Sequence, residues 1–134
     1  MSILFITSTI VISALPTNIH EKVFAQNLTD AIYLFPIEIE DIEEEFLKIP
    51  HDGFLPQTIV AEKGKNVTIK FYNTEANEPH TFTLDSPYNI NEDLKGGENG
   101  TINFIADKEG VFTYYCIYHL PTMTGQLVIL PKEE

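Results

Sequence analysis

The chain has 134 residues, and its 8 Lys and no Arg stand against 20 Asp and Glu, which gives a formal net charge of −12. This length suits one domain with its own core and excludes a multidomain oxidase or a full α/β barrel. Phosphate recognition depends on clustered Lys and Arg, so we expect no nucleic-acid partner and instead a partner with a basic surface. The single Cys excludes an intramolecular disulfide and a Cys-rich zinc site.

The first segment of the chain is typical of a targeting signal. Residues 3–15 form an uncharged apolar run that has the length of a signal-peptide core and is too short to span a bilayer unaided. Small residues at 23–25 offer a cleavage site. We therefore expect residues 1–25 to be a signal peptide or an N-terminal anchor, and residues 26–134 to form the functional domain. The alternative is a buried N-terminal strand or helix.

The rest of the chain predicts strands rich in β-branched and aromatic residues, separated by Gly- and Asn-containing turns. In chain order these strands include 31–39, 54–61, 67–72, 80–84, 102–104, 112–114 and 124–130. The first contains Pro36, which favours an edge position, and residues 88–94 could hold a helical turn. About seven to eight strands at this spacing predict an all-β antiparallel sandwich.

One acidic run follows the first predicted strand. Its members are Glu38, Glu40, Asp41, Glu43, Glu44 and Glu45. The run is either a solvated strand end or loop, or an acidic docking patch for a basic redox partner. The sequence alone favours the solvated loop.

Residues that suit a metal site gather near the C-terminus. Cys116, His119 and Met123 have the spacing C-x2-H-x3-M, at the end of a predicted strand and in the loop that follows it. A second histidine, His80, begins an upstream strand. Two imidazoles and a thiolate with a weak axial thioether are the donors of a blue-copper electron-transfer site. Such a site lies near a compromise between Cu(I) and Cu(II), so it needs little rearrangement on electron transfer.

Each of these residues has an ordinary structural explanation when it is taken singly. A lone Cys at a strand end is usually a small buried hydrophobe, and a lone Met usually fills a core. A lone His is usually a surface or hydrogen-bonded residue, and we expect His51, in the turn 50–53, to be one exposed to solvent. Cys, His and Met within eight residues, with a second His before a strand, favour the metal site when taken together.

At these residues the chain resembles the cupredoxins, the plastocyanin-like small copper proteins, over about 80 residues. The stretches that carry the resemblance are 54–60 with Gly64 and 67–69, Asn73 with 79–82, and 97–98, Phe104, 106–107 and 110–116. The resemblance implies a Greek-key β-sandwich of the cupredoxin type, with one copper ion at one end. It implies that His80, Cys116, His119 and Met123 are the copper ligands.

The resemblance also implies two routes for electrons. One runs through the ring edge of His119, within an apolar rim that includes Leu120 and Pro121. The other is more remote and begins at Tyr115, whose alternative role is that of a strand tyrosine packed at the surface. Thr81, next to a ligand, could supply a hydrogen bond near the site.

The chain departs from the cupredoxin pattern in two places. The spacing between His119 and Met123 is intermediate between those of plastocyanin-like and shortest-loop members. Residues 30–50 fit the family poorly and could be an addition.

The function expected from these features is that of an extracytoplasmic electron carrier with one mononuclear type 1 copper and no enzymatic activity. The protein would be a monomer in the periplasm, at the cell surface or secreted, with a tether to the membrane if residues 1–25 stay attached. Its partners would be a redox donor and acceptor. The alternatives are a module for copper delivery or storage, and a redox domain tethered to a larger membrane electron-transport complex.

Overall fold

The computed structural model describes residues 31–39 and 48–132, and this part of the chain contains strands and no helix. The nine strands are β1 (Ile32–Glu38), β2 (Asp52–Leu55), β3 (Thr58–Glu62), β4 (Asn66–Tyr72), β5 (His80–Leu84), β6 (Ile90–Leu94), β7 (Asn99–Ile105), β8 (Gly110–Tyr115) and β9 (Thr124–Leu130). Within these ranges no helix has the length and hydropathy to cross a membrane. The predicted signal segment and the acidic residues 40–45 lie outside the described residues.

The strands form two sheets, which confirms the predicted all-β sandwich. The four-stranded sheet has the order β2-β1-β4-β7, and the five-stranded sheet has the order β3-β9-β8-β5-β6. Most neighbours are antiparallel, but β1 pairs with β4 and β3 pairs with β9 in parallel. The predicted antiparallel sandwich therefore contains two parallel pairs, in which the early strands β1 and β3 lie beside later strands.

The core consists of side chains from both sheets. Alternate residues of β4 are buried, namely Val67, Ile69 and Phe71, as the period of two predicts. At one end of this core the ring of Tyr114 packs against Phe54 with centroids 5.1 Å apart. Its hydroxyl donates a hydrogen bond to the Pro56 carbonyl at 2.6 Å. Such packing supplies most of the stability of a small sandwich, and it fixes the strand end that precedes residue 116.

Two predicted elements differ in the structure. The run 54–61 is divided into β2 and β3, which belong to different sheets, because the chain turns at Pro56 and Gln57. Residues 88–94 form a turn followed by β6 rather than a helical turn, because five residues from Ile90 pair with β5 along its full length. These two changes raise the strand number to nine.

The prediction of an edge position for the first strand is also wrong. β1 lies between β2 and β4. It pairs with β4 only at Ile32–Leu34, and with β2 only at Phe35–Glu38. Pro36 therefore has a partner strand on one side only, so the missing amide of proline removes no hydrogen bond on the other side.

Candidate metal centre

The four predicted ligands lie at one end of the sandwich because of how three strands pair. His80 is the first residue of β5, Cys116 directly follows β8, and Met123 directly precedes β9. β8 is hydrogen-bonded to both of the other strands. The start of β5, the end of β8 and the start of β9 therefore lie at the same end of the sheet. We refer to residues 116–123, which connect β8 and β9, as the ligand loop.

Three of the predicted side chains converge on one point. The Cys116 Sγ lies 3.9 Å from His80 Nδ1 and 3.5 Å from His119 Nδ1. One donor atom from each of the three residues lies within 4.8 Å of the other two, which is close enough for a single metal ion. Cys116 and His80 are fully buried. We refer to these three atoms as the inner donors.

The fourth predicted residue, Met123, closes the ligand loop through its backbone. Its amide donates to the His119 carbonyl at 2.9 Å, and its carbonyl accepts from the Cys116 amide at 3.0 Å. Its side chain is fully buried. The hydrogen bonds place the Met123 backbone beside the two other ligand-loop residues, and the burial of the side chain keeps its thioether out of solvent.

The environment of the Cys116 sulfur favours a thiolate. Burial alone would raise the pKa of the thiol, but hydrogen bonds from His80, the Thr81 and Tyr118 amides and His119 outweigh it and lower the pKa to about 6. The Thr81 amide lies 3.3 Å from the sulfur, and the Thr81 hydroxyl accepts from the Ile117 amide at 2.9 Å. The expected hydrogen bond from Thr81 is thus confirmed. The thiolate is the form of cysteine that binds metals.

Three carboxylates lie on the other side of the two imidazoles. Glu75 Oε2 is 2.9 Å from His80 Nε2, while Glu78 Oε2 and Asp52 Oδ2 are 3.3 Å and 3.7 Å from His119 Nε2. We refer to Asp52, Glu75 and Glu78 as the outer carboxylates. Burial of His80 opposes its protonation, but its hydrogen bonds to Cys116 and Glu75 raise its pKa above the usual value.

The sequence analysis did not identify the outer carboxylates. Glu78 lies two residues before His80, and this proximity is a signal that could have been read. Asp52 starts a strand in the other sheet, and only the packing of the two sheets brings it to His119. Its neighbour His51, expected to be exposed, is half-buried. Burial raises the pKa of Asp52, although the nearby imidazole of His119 opposes the shift.

The surface above the ligand loop is apolar, as expected. The His119 side chain is 14% exposed, whereas that of His80 is completely covered. Around His119 the large side chains of Ile117, Tyr118 and Leu120 are each nearly half exposed. Tyr115 is half-buried, and its hydroxyl donates to the Asp85 carboxylate. Both of its expected roles remain compatible with this position.

Comparison with known proteins places this architecture in a family. Residues 23–129 match the profile of the cupredoxin-like domain. No curated protein sequence matches the chain. The individual proteins that resemble this chain therefore do so in three-dimensional structure.

Several solved structures share the fold. Auracyanin A, a "blue" copper protein from Chloroflexus aurantiacus, superposes with a TM-score of 0.56 at 22% identity, over 75% of this chain and 98% of its own. A reduced auracyanin from Roseiflexus castenholzii gives 0.54 at 17% identity, over 75% and 97%. A copper-containing nitrite reductase from Thermus scotoductus gives 0.58 at 20% identity, over 78% of this chain but 28% of that enzyme.

The inner donors and the buried thioether fit one copper ion of the type 1 class. Soft thiolate and thioether ligands favour Cu(I), and imidazole suits copper in both oxidation states. Two imidazole nitrogens and one low-pKa sulfur within 4.8 Å of one another match this donor set, and the thioether is contributed by the end of the same loop. The choice of side chains, and not the fold alone, supports the copper.

Proposed function

The chain belongs to the cupredoxin-like domain family, and on this premise we propose that it is an extracytoplasmic protein that carries one electron on a single type 1 copper. The observation that carries the proposal is the position of the fully buried Cys116 sulfur, 3.5 Å and 3.9 Å from the Nδ1 atoms of His119 and His80. A bound copper ion would accept and release one electron by cycling between Cu(II) and Cu(I). The residues around it have to hold it, cover it and give a partner access.

The ligands in this proposal are His80, Cys116, His119 and Met123. The sheet holds the first, since β5 begins at this residue. The ligand loop holds the other three, and two backbone hydrogen bonds close it. Because these contacts are formed between protein atoms, we expect the donors to move little between the two oxidation states. Small structural change between the two states favours fast electron transfer.

The same arrangement argues against an enzyme. A catalytic metal keeps an open position for substrate, whereas in this proposal the thioether of the buried Met123 would take the fourth position. The chain matches 28% of the length of the nitrite reductase with which it shares a fold.

His119 is the route by which we propose that electrons enter and leave. It is the one ligand ring that reaches the surface, and Leu120 and Tyr118 extend an apolar rim around it. An apolar rim allows close approach of a partner, while the net charge of −12 attracts a partner with a basic surface from a distance. The partners are a redox donor and a redox acceptor, each meeting the protein as a monomer.

The proposed location outside the cytoplasm rests on the sequence of residues 1–25. This segment acts as a signal peptide or as a short anchor that tethers the domain 26–134 to a membrane. Comparison of the mass of the protein recovered from its native cells with that of the full chain distinguishes cleavage from anchoring.

The test of the proposed function is the absorption and paramagnetic resonance spectrum of the purified protein with one equivalent of Cu(II). We expect an intense thiolate-to-copper band and narrow hyperfine splitting. Cys116→Ser should abolish the band and keep the β fold, because the sandwich core does not depend on the metal. Met123→Leu should keep the band and raise the reduction potential, since loss of a weak donor destabilises Cu(II) more than Cu(I). A wild-type protein without the band, or a Cys116→Ser variant that retains it, would refute the proposal.

A further inference from the structure

Copper binding and electron transfer through His119 do not by themselves explain the presence of the outer carboxylates. An imidazole that binds a metal through Nδ1 still carries a proton on Nε2, and that proton needs an acceptor when it is buried. In this protein the Nε2 atom of His80 is hydrogen-bonded to the Glu75 carboxylate, and the Nε2 atom of His119 lies 3.3 Å from the Glu78 carboxylate. We propose that Glu75, supported by Asp52 and Glu78, is a positioning residue that orients the ligand imidazoles and lowers the reduction potential of the site. This inference rests on the proposed copper function.

The contact between Glu75 and His80 carries the argument furthest. The distance of 2.9 Å is that of a hydrogen bond, and the His80 ring is fully buried. A carboxylate can only accept, so Nε2 carries a proton. Nδ1 is the atom that faces the Cys116 sulfur, so it is the nitrogen that gives up its proton when His80 binds a metal, while Nε2 keeps its own. Glu75 thereby selects the tautomer in which His80 can bind a metal among the inner donors.

The fold holds Glu75 in place independently of His80. The buried Asn73 accepts from the Glu75 amide at 3.1 Å through its side-chain oxygen and donates to the Glu78 carbonyl at 2.7 Å. The Gly97 amide donates to the Glu75 carbonyl at 3.1 Å. A Cβ at Gly96 would come within 2.8 Å of the same carbonyl oxygen, so only glycine allows this approach. The loop 73–78 is thus fixed by three contacts around Glu75.

Asp52 provides an independent observation on the side of His119. It is buried, and its Oδ1 has no hydrogen-bond partner among the described residues. A buried carboxylate without full hydrogen bonding costs stability, so its presence requires another benefit. Its other oxygen lies 3.7 Å from His119 Nε2. Glu78 is closer to the same atom, but it is half exposed, and water screens its charge.

The direction in which the outer carboxylates shift the reduction potential follows from their negative charge. A negative group near the metal stabilises the more positive oxidation state, here Cu(II), more than the less positive one. Stabilisation of Cu(II) lowers the reduction potential. Glu75 should contribute most, because its hydrogen bond is the shortest and its carboxylate is mostly buried, at 22% exposed.

The test compares Glu75→Gln with Glu109→Gln, which removes the same charge at the opposite end of β8. Glu109 is exposed and pairs with Lys63. We expect Glu75→Gln to reduce the preference for Cu(II) over Cu(I) about tenfold, a rise in potential of about 59 mV for one electron. Glu109→Gln should leave the potential unchanged. Equal potentials of the Glu75→Gln variant and the wild type would overturn the proposal.

A second measurement does not require copper. In ¹⁵N-labelled metal-free protein, the Nε2 proton of His80 should give a slowly exchanging resonance that is lost in Glu75→Ala. Persistence of that resonance in the variant would overturn the assignment of Glu75. If wild-type protein shows the resonance but no thiolate-to-copper band, the proposed function fails while the contact stands. If the band forms and the potential does not respond to Glu75→Gln, this inference alone fails.

Asp52→Asn separates a tuning role from a structural one. If Asp52 is kept for stability, its replacement should lower the unfolding midpoint of the metal-free protein. If Asp52 is a buried charge with incomplete hydrogen bonding, its replacement should leave this midpoint equal or raise it. The potential should rise at the same time. A lower midpoint with an unchanged potential would show that Asp52 is structural and would remove it from the proposal.

Discussion

The two histidines of the metal centre lie in contrasting surroundings. His80 begins a central strand, is fully buried and has its outer nitrogen hydrogen-bonded to Glu75 at 2.9 Å. His119 lies in the ligand loop, reaches solvent and has its outer nitrogen between two carboxylates at longer distances. One ring is therefore held by the sheet and by a short hydrogen bond, and the other by a loop closed through its backbone.

This difference gives the His80 side and the His119 side of the site different proposed roles. The His80 side fixes a donor where neither solvent nor a partner can reach it. The His119 side presents a donor edge to the surface, among Ile117, Tyr118 and Leu120. In the proposed function, access on the His119 side and burial on the His80 side would let an electron pass without exposing the thiolate. The contrast can be tested from both sides.

The largest expected effect comes from removal of each ring in turn. His119→Gly should lose the thiolate-to-copper band and regain it when imidazole is added, because the deleted ring reaches the surface and leaves an opening to solvent. His80→Gly should lose the band and not regain it, since its ring is fully covered. Absorption spectra of copper-loaded variants during an imidazole titration measure both outcomes. Equal rescue of the two variants would contradict the proposed division of the site.

A smaller effect is expected from a methyl group placed against the His80 side. In Gly96→Ala the new Cβ would collide with the carbonyl oxygen of Ala76 and press on that of Glu75. Such overpacking costs about 1–3 kcal/mol of unfolding free energy, and it should also displace the contact to His80. Urea unfolding of the metal-free protein and copper affinity by chelator competition provide the two measurements.

The neighbouring glycine supplies the matched control. Gly97 has φ +78° and no atom within 4 Å of an added Cβ, so Gly97→Ala should cost about 1–2 kcal/mol through backbone strain alone. Copper affinity should fall in Gly96→Ala and hold in Gly97→Ala. The same loss of affinity in both variants would mean that general destabilisation, and not the loop 73–78, controls the site.

The smallest effect is expected on the His119 side. Leu120→Lys places a positive charge in the apolar rim, where it should repel a basic partner and slow electron transfer on the order of tenfold. Stopped-flow reduction by the physiological donor, over a series of salt concentrations, measures this. Val111→Lys is the control, because Val111 is also exposed, at 62% against 48% for Leu120, but lies on β8 away from the ligand loop. Identical rates for the two variants would show that the rim is not the docking surface.

Much of the fold and part of the candidate metal centre were predictable from the sequence. The strands 80–84 and 124–130 were predicted with the bounds that the structure gives, because apolar and β-branched residues there meet clear turn signals. The convergence of His80, Cys116 and His119 followed from spacing and from the family resemblance. Short-range patterns such as these are visible within one stretch of chain.

The errors arose where distant segments decide the structure. The break between β2 and β3 depends on each strand pairing in a different sheet, and Pro36 is tolerated inside a sheet because two neighbours share β1. Asp52 reaches His119 only because the two sheets pack face to face. No local pattern reports such contacts. The assignment of Met123 as a ligand and of residues 1–25 as a signal or anchor remain predictions.

The complete burial of Cys116 determines whether the metal-free protein can form a disulfide with a second copy. A disulfide between two copies would require Cα atoms within about 4.4–6.8 Å of each other. The Cys116 sulfur lies beneath the ligand loop and has no exposed surface, so two folded molecules cannot bring their thiols together. In the proposed location outside the cytoplasm, the folded metal-free protein would therefore be protected from crosslinking to a second copy through Cys116.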